Sequence, residues 1–232
     1  MKKKTVILTG AGISAESGVP TFRGSDGLWE GHRVEEVATP EAFERDRALV
    51  QKFYNMRRRF LRSGIEPNEG HRALARLQRE SDGEVVLVTQ NIDDLHERGG
   101  SPEVWHMHGE LLKARCLSCG ARVKIDGDLD DESPCESCGD RGRLRPDVVW
   151  FGEMPYLMPE IETALAGCDL FLSIGTSGHV YPAAGFVELA HLAGAETIEV
   201  NLDETATSSR FHRQILGKAG EVLPDLVDEL LR

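Results

Sequence analysis

Four cysteines, two histidines and one polar cluster are the residues of this chain whose types and spacing could do chemistry. Cys116-x-x-Cys119 and Cys135-x-x-Cys138 stand fifteen residues apart, which is the spacing of a four-thiolate zinc site. Four sulfur ligands close the coordination sphere, so such a zinc is structural and activates no water. Disulfides are the alternative, and the lack of a secretion signal weighs against them. The insert around these cysteines has too few apolar residues to fold by burial alone, so metal binding would supply much of its folding free energy. Cys168, placed before an apolar run, reads as a core residue.

His106 and His108 are two residues apart on an expected strand, Val104 to His108, which predicts that both point to one face. They could share a metal or simply pack. His108 is placed to approach the polar cluster Thr89-Gln90-Asn91-Ile92-Asp93-Asp94, where a neutral imidazole can serve as general base near neutral pH. No Ser/His or Cys/His pairing offers a nucleophile, so the electrophile is expected to come from a cofactor.

The element that must position these groups is the stretch from Thr5 to Ala15. A β-branched apolar run is followed by Gly10-x-Gly12-x-x-Ala15, which matches the dinucleotide-binding turn: one glycine for the bend, one for close backbone approach, a small residue for helix packing. Phosphate would then meet free amides at a helix start. By itself the fingerprint is weak. It also departs from an ordinary Rossmann unit, because Gly18 to Trp29 reads as a long polar loop instead of a helix leading to a second strand.

Further apolar strands are expected at Val85–Val88, Leu170–Ile174 and Thr197–Val200, the last two ending in Gly175-Thr176-Ser177-Gly178 and Asn201-Leu202-Asp203. Helical periodicity marks Pro40 to Ser63, Asn68 to Glu80, Pro159 to Ala166, Ala183 to Ala193 and Leu223 to Leu231. Arg57, Arg58 and Arg59 read as the solvated face of the first of these. Strands alternating with helices predict an α/β fold, a doubly wound, mostly parallel Rossmann-type sheet. The expected division is a large domain of 1–38, 66–112 and 146–232, and a small domain of a helical insert, 39–65, with a zinc ribbon, 113–145.

The chain has 232 residues, with 27 basic and 39 acidic side chains and a net charge of −12. That charge disfavours nucleic acid and anionic lipid as partners. The acidic run from Asp126 to Glu132 argues against reading the ribbon as a nucleic-acid module. No apolar run reaches the roughly 20 residues that cross a bilayer, and the expected location is cytoplasmic.

Taken together, Gly10-Ala11-Gly12-Ile13-Ser14, Pro20-Thr21-Phe22-Arg23, Thr89-Gln90-Asn91-Ile92-Asp93, His106-Met107-His108-Gly109, the four cysteines, Val149-Trp150-Phe151-Gly152-Glu153 and Gly175-Thr176-Ser177 resemble, in order, the motifs of the sirtuins, NAD-dependent protein lysine deacylases. The resemblance covers essentially the whole chain. It implies that Gly10, Ala11 and Gly12 cradle the pyrophosphate and that Phe22 and Arg23 lie on a loop over the ribose. Gln90, Asn91, Ile92 and Asp93 would line the ribose and nicotinamide pocket. Gly175, Thr176, Ser177, Asn201, Leu202 and Ala219 would hold the adenosine half, and His108 would be the base.

The reaction so implied consumes NAD: the acyl oxygen attacks the ribose carbon as nicotinamide leaves, and His108 activates a ribose hydroxyl that captures the acyl group. The products would be free lysine, nicotinamide and O-acyl-ADP-ribose. Phe151, Gly152, Glu153, His179, Val180 and Tyr181 would flank an extended substrate peptide. Tyr54 and Arg57 lie one helical turn apart and can converge on a carboxylate. At this place, with Ala15, they resemble the class III sirtuins, which remove succinyl, malonyl and glutaryl groups. The competing readings are an NAD-dependent oxidoreductase, a zinc protein that binds NAD or ADP-ribose without turnover, and a mono-ADP-ribosyltransferase.

Overall fold

The computed structural model describes residues 3–20, 28, 29 and 31–232. Its main sheet places the strands in the order Arg213–Leu216, Glu196–Asn201, Leu170–Ile174, Lys4–Thr9, Glu84–Thr89 and Trp105–His106. All neighbours are parallel. Alternation along the strands feeds two cores. Val6, Leu8, Val86, Val88 and Phe171 face the helices Met158–Ala166 and Phe186–Leu192 through Ile161, Leu165, Phe186 and Ala190. Ile7, Leu87, Leu172, Ile198 and Val200 face Glu69–Glu80 and Ala219–Leu230 through Leu74, Leu77, Leu223 and Leu226. Strands covered on both faces read as continuous apolar runs, which is why the sequence exposes them so plainly.

Two sequence expectations are corrected in detail, and one strand is found that the sequence did not announce. The helix expected over Pro40 to Ser63 is two, Pro40–Arg45 and Arg47–Leu61. Asp46 breaks it with extended backbone and caps the second helix by accepting from the Leu49 amide at 2.9 Å, a capping role its short carboxylate suits. The helix expected over Ala183 to Ala193 begins as a 3-10 turn, Ala183–Gly185. The edge strand Arg213–Leu216 carries too little apolar signal to be read from sequence, since only Ile215 packs against the core. By contrast Asn68 caps Glu69–Glu80 as the pattern predicts, accepting from the Gly70 amide at 2.9 Å.

A second, antiparallel sheet joins Arg122–Lys124, Gly109–Cys116 and Leu144–Val148. It has a small core of Ala114, Ile125, Leu129 and Leu144 around Cys116 and Cys135. The Arg47–Leu61 helix docks on it by side chains that satisfy loop backbone: Asn55 donates to the Leu129 carbonyl at 2.9 Å and accepts from the Leu129 amide at 2.9 Å, while Gln51 donates to the Leu144 carbonyl at 2.8 Å. Arg58, expected on a solvated face, is 1 % exposed. It donates to the Asn55 side-chain oxygen, and burial lowers its pKa to about 10. Its neighbours Arg57 and Arg59 do stay at the surface or half-buried. Turning each of three consecutive residues by 100° around a helix leaves room for one to face inward.

The sheet reverses direction of winding between Lys4–Thr9 and Leu170–Ile174, and there two glycine turns lie backbone on backbone. The Gly12 amide donates to the Gly175 carbonyl at 2.9 Å and the Gly10 amide to the Ile174 carbonyl at 2.9 Å. Gly175 has φ +62, and a Cβ there would lie 2.6 Å from the Ile13 nitrogen. Gly175→Ala is therefore expected to lower unfolding stability by roughly 2 kcal/mol or more, measured by denaturant melts. Gly167→Ala, whose Cβ would meet only the Thr163 carbonyl at 3.9 Å, is the control and should stay within about 0.5 kcal/mol.

Candidate active site and zinc centre

The carboxyl ends of the parallel strands deliver the polar residues singled out in the sequence to one place, where ligands bind in open α/β sheets. The short helix Ala11–Ala15 starts at Gly10 without a side-chain cap. Beneath it Ser14 donates to Asp93 Oδ2 at 3.0 Å, and Asn91 donates through Nδ2 to the Gly10 carbonyl at 3.1 Å and Ser14 Oγ at 3.0 Å. Asp93 also accepts from the Leu95 amide at 3.1 Å. Burial raises its pKa, partly offset by the Leu95 and Ser14 hydrogen bonds. Gln90 and Ile92 are half-buried at the same turn. Ser14, absent from the expected site residues, is the hinge of this network. Its place inside the Gly10–Ser14 motif is the signal that could have found it.

On the far side of the winding reversal, Thr176 is buried and its hydroxyl bonds Ser173 Oγ at 2.9 Å, while Asn201 donates to the Thr176 carbonyl at 2.6 Å. Gly175 and Ser177 are half-buried beside them, Ala219 opens the last helix, and Leu202 is 57 % exposed. Phe22 and Arg23 lie outside the described residues. The helix start, the two glycine turns and the polar residues around them thus gather at the winding reversal, where open α/β folds hold a dinucleotide.

The two histidines do not share a strand face as expected. The strand stops at His106, and Gly109 turns the chain with φ +79, where a Cβ would lie 2.0 Å from the Asp147 carbonyl oxygen. Their partners then separate their chemistry. His106 has an acceptor at each nitrogen, the Asn91 carbonyl at 3.3 Å and Glu97 Oε1 at 2.6 Å. Burial opposes its charge, but Glu97, Glu110 and the Asn91 carbonyl outweigh that and raise its pKa. Both His106 nitrogens face acceptors, which favours its charged form beside Glu97. Among the described residues the His108 ring makes one bond, Nδ1 to the Gln90 carbonyl at 3.0 Å. A carbonyl only accepts, so the proton sits on Nδ1 and Nε2 carries the lone pair. Burial lowers the His108 pKa, against the Gln90 bond, which keeps the ring neutral.

His108 also adjoins Val149, whose amide donates to its carbonyl at 2.9 Å, so the Val149–Glu153 stretch runs alongside. Phe151 is 47 % and Tyr181 70 % exposed, Gly152 is exposed with φ +88, and Val180 is half-buried. Glu153 is engaged inward: Arg145 donates to both its oxygens at 2.8 Å, and the Trp150 amide to Oε2 at 2.9 Å. Its pKa is lowered, Arg145 and the Trp150 amide outweighing burial. Trp150 in turn donates from Nε1 to the Tyr54 hydroxyl at 2.9 Å. Tyr54 is wholly buried, which raises its pKa, and it feels the Arg57 charge. Arg57 is half-buried, 5.7 Å above the Phe53 ring. Ala15 ends the Ala11–Ala15 helix, half-buried.

The cysteines come together as the spacing predicts. All four sulfurs lie within 4.8 Å of one another, with Cys116–Cys138 and Cys119–Cys135 each at 3.8 Å. A disulfide needs about 2.05 Å. The edge of a tetrahedron with zinc–sulfur bonds of about 2.3 Å is about 3.8 Å, so these four thiolates fit zinc. Purified protein is expected to carry one zinc per chain by metal analysis. Cys119→Ala should fall well below that and melt at lower temperature, whereas full zinc occupancy in that variant would remove Cys119 from the site.

No helix among the described residues is long and apolar enough to cross a membrane. The Sir2 family model matches residues 10–182. The chain is 57% identical over 230 residues to the NAD-dependent protein deacylase of Vibrio vulnificus strain YJ016, spanning 99% of this chain and 94% of that protein. It is 55% identical over 232 residues to that of Escherichia coli strain K12, spanning 100% and 83%. Among solved structures, a Sir2 homolog–NAD complex superposes with a TM-score of 0.88 at 41% identity, covering 100% of this chain and 91% of that one.

Proposed function

The chain belongs to the Sir2 family and is an NAD-dependent protein deacylase, and from that premise we propose that His108 is its base and that it removes short acidic acyl groups as well as acetyl from protein lysines. The observation that carries the assignment of the base is the single bond from His108 Nδ1 to the Gln90 carbonyl. It leaves Nε2 as the unprotonated nitrogen, while Glu97 favours the charged form of the neighbouring His106. Of these two histidines, His108 is the one poised to take a proton at neutral pH.

NAD supplies the electrophilic ribose carbon and is consumed. Gly10, Ala11 and Gly12 would hold its pyrophosphate; Phe22 and Arg23 would cover its ribose; Gln90, Asn91, Ile92 and Asp93 would line the nicotinamide side; Gly175, Thr176, Ser177, Asn201, Leu202 and Ala219 would take the adenosine. His108 Nε2 accepts the proton of a ribose hydroxyl, and the Gln90 carbonyl steadies the resulting imidazolium through Nδ1–H. Phe151, Gly152, Val180 and Tyr181 offer an exposed strip for an extended peptide. Glu153 serves that strip through its backbone, because its carboxylate is taken by Arg145 and the Trp150 amide.

For the acyl group, the Tyr54 phenol stays protonated because of its burial, and the Arg57 charge acts on the same spot. A neutral phenol and a guanidinium together suit a carboxylate, and the resemblance to the class III enzymes would put Ala15 on the same acyl pocket. This arrangement favours succinyl-type groups over a simple acetyl.

Mass-spectrometric turnover of matched succinyl-lysine and acetyl-lysine peptides tests both parts. Reaction should require NAD, release nicotinamide, and fall by about a thousandfold or more in His108→Ala. NADH formation instead would point to the oxidoreductase reading, and NAD binding that His108→Ala leaves intact, without turnover in the native enzyme, to the binding-protein reading. Arg57→Met should lower kcat/KM for succinyl by about tenfold or more and leave acetyl nearly unchanged; equal losses would sink the acyl assignment. Since the base must be unprotonated and burial depresses its pKa, the acid limb of kcat/KM should lie below pH 6.5. A limb above that value would contradict the burial argument.

A further inference from the structure

Behind the ends of the Lys4–Thr9 and Glu84–Thr89 strands lies a buried line of polar groups that the chemistry above does not use. His71 is 0 % and His96 1 % exposed, and their rings meet edge to face with centroids 4.9 Å apart. Their partners fix where each proton sits. The Asn68 amide donates to His71 Nδ1 at 3.3 Å, so His71 carries its proton on Nε2. The Thr9 hydroxyl donates to Thr89 Oγ1 at 2.8 Å. The His96 Nε2 that lies 2.9 Å from Thr9 Oγ1 must therefore be a donor, and His96 also carries its proton on Nε2. Two ring atoms remain buried without a hydrogen-bond partner among the described residues, His71 Nε2 and His96 Nδ1. One is a donor and the other an acceptor, on rings in contact. Leaving both unsatisfied would cost far more than joining them.

We propose that His71 and His96 form a neutral, tautomer-locked relay, His71 Nε2–H to His96 Nδ1 through one buried water, that fixes Thr9 and Thr89 and so positions the Gln90–Asp93 turn. The relay runs from the start of the Glu69–Glu80 helix to the site. Thr89 Oγ1, held by Thr9, accepts the Asn91 amide at 3.0 Å, and the Asn91 side chain bridges Gly10 and Ser14. Burial and then the Arg72 charge, against Glu97, lower the His71 pKa to about 4. Burial, with His71 and His106, holds His96 well below its ordinary value. Protonating His71 would place a hydrogen against the Asn68 amide, and protonating His96 would turn two donors on each other. The relay works only when both rings are neutral.

His71 and His96 are positioning residues, and the proposal rests on the reading of the Gln90–Asp93 turn as part of the NAD pocket. Nitrogen-15 NMR of the imidazoles in the native protein reads the tautomers directly. The expected result is two neutral rings protonated on Nε2, unchanged across the neutral pH range. A proton on Nδ1 of His96, or titration of either ring in that range, overturns the relay whatever any variant does. His96→Leu should raise the KM for NAD about tenfold, the worth of roughly one buried hydrogen bond, with the KM for acyl peptide unchanged. His96→Gln, whose amide can still donate to Thr9, should recover most of it. An unchanged NAD KM in His96→Leu, alongside a raised one in Asn91→Ala, defeats the relay and leaves the pocket reading standing. An unchanged NAD KM in Asn91→Ala defeats the pocket reading, and the relay's purpose with it.

Discussion

The close approach of two glycine turns at the reversal of the sheet is the constraint on which the rest depends. Gly12 and Gly175 touch through backbone alone: a Cβ on Gly12 would lie 2.6 Å from the Gly175 Cα. That contact sets the Lys4–Thr9 and Leu170–Ile174 strand ends in register and points the uncapped start of the Ala11–Ala15 helix outward. Ser14 and Thr176 hang from these two turns, and Gln90, Asn91 and Asp93 follow the Glu84–Thr89 strand paired beside them. A methyl group in the contact would separate the two halves of the pocket before it touched any ligand.

The site then gains its selectivity of charge from neighbours, not from residue type. His106 and His108 are chemically the same side chain two positions apart. One meets Glu97 and a carbonyl, which raise its pKa; the other meets a carbonyl in a buried setting that lowers it. The same logic separates Arg57 from Arg58. The inner arginine is consumed by Asn55 and the Leu111 carbonyl in the joint between helix and antiparallel sheet, while Arg57 lies toward Tyr54. Trp150 links the two regions, stacked under Arg145 at 3.4 Å from its ring centroid and donating to Tyr54. The Val149–Glu153 stretch and the Arg47–Leu61 helix are thereby braced against each other.

Much of this was legible in the sequence, for definable reasons. Doubly covered strands such as Val85–Val88 and Leu170–Ile174 must be apolar on both faces, so they announce themselves. Thiolate pairs at knuckle spacing point to a metal because few other structures need them, and the Asn68 cap is a local bond between near neighbours. What escaped was set by distant partners. The break at Asp46, the edge strand Arg213–Leu216 and the burial of Arg58 each depend on what packs against them, and no local pattern carries that information.

The sequence by itself determined the order of strands and helices, the zinc ligands, the glycine turns and the family resemblance, because each follows from residue type at short spacing. Only the tertiary structure decided which histidine is charged, which tautomer His108 adopts, that Glu153 turns inward and that His71 meets His96. Those outcomes depend on atoms brought together from positions far apart in the chain. Protonation and hydrogen-bond direction are properties of that assembled environment, in which burial penalises charge and each donor must find an acceptor.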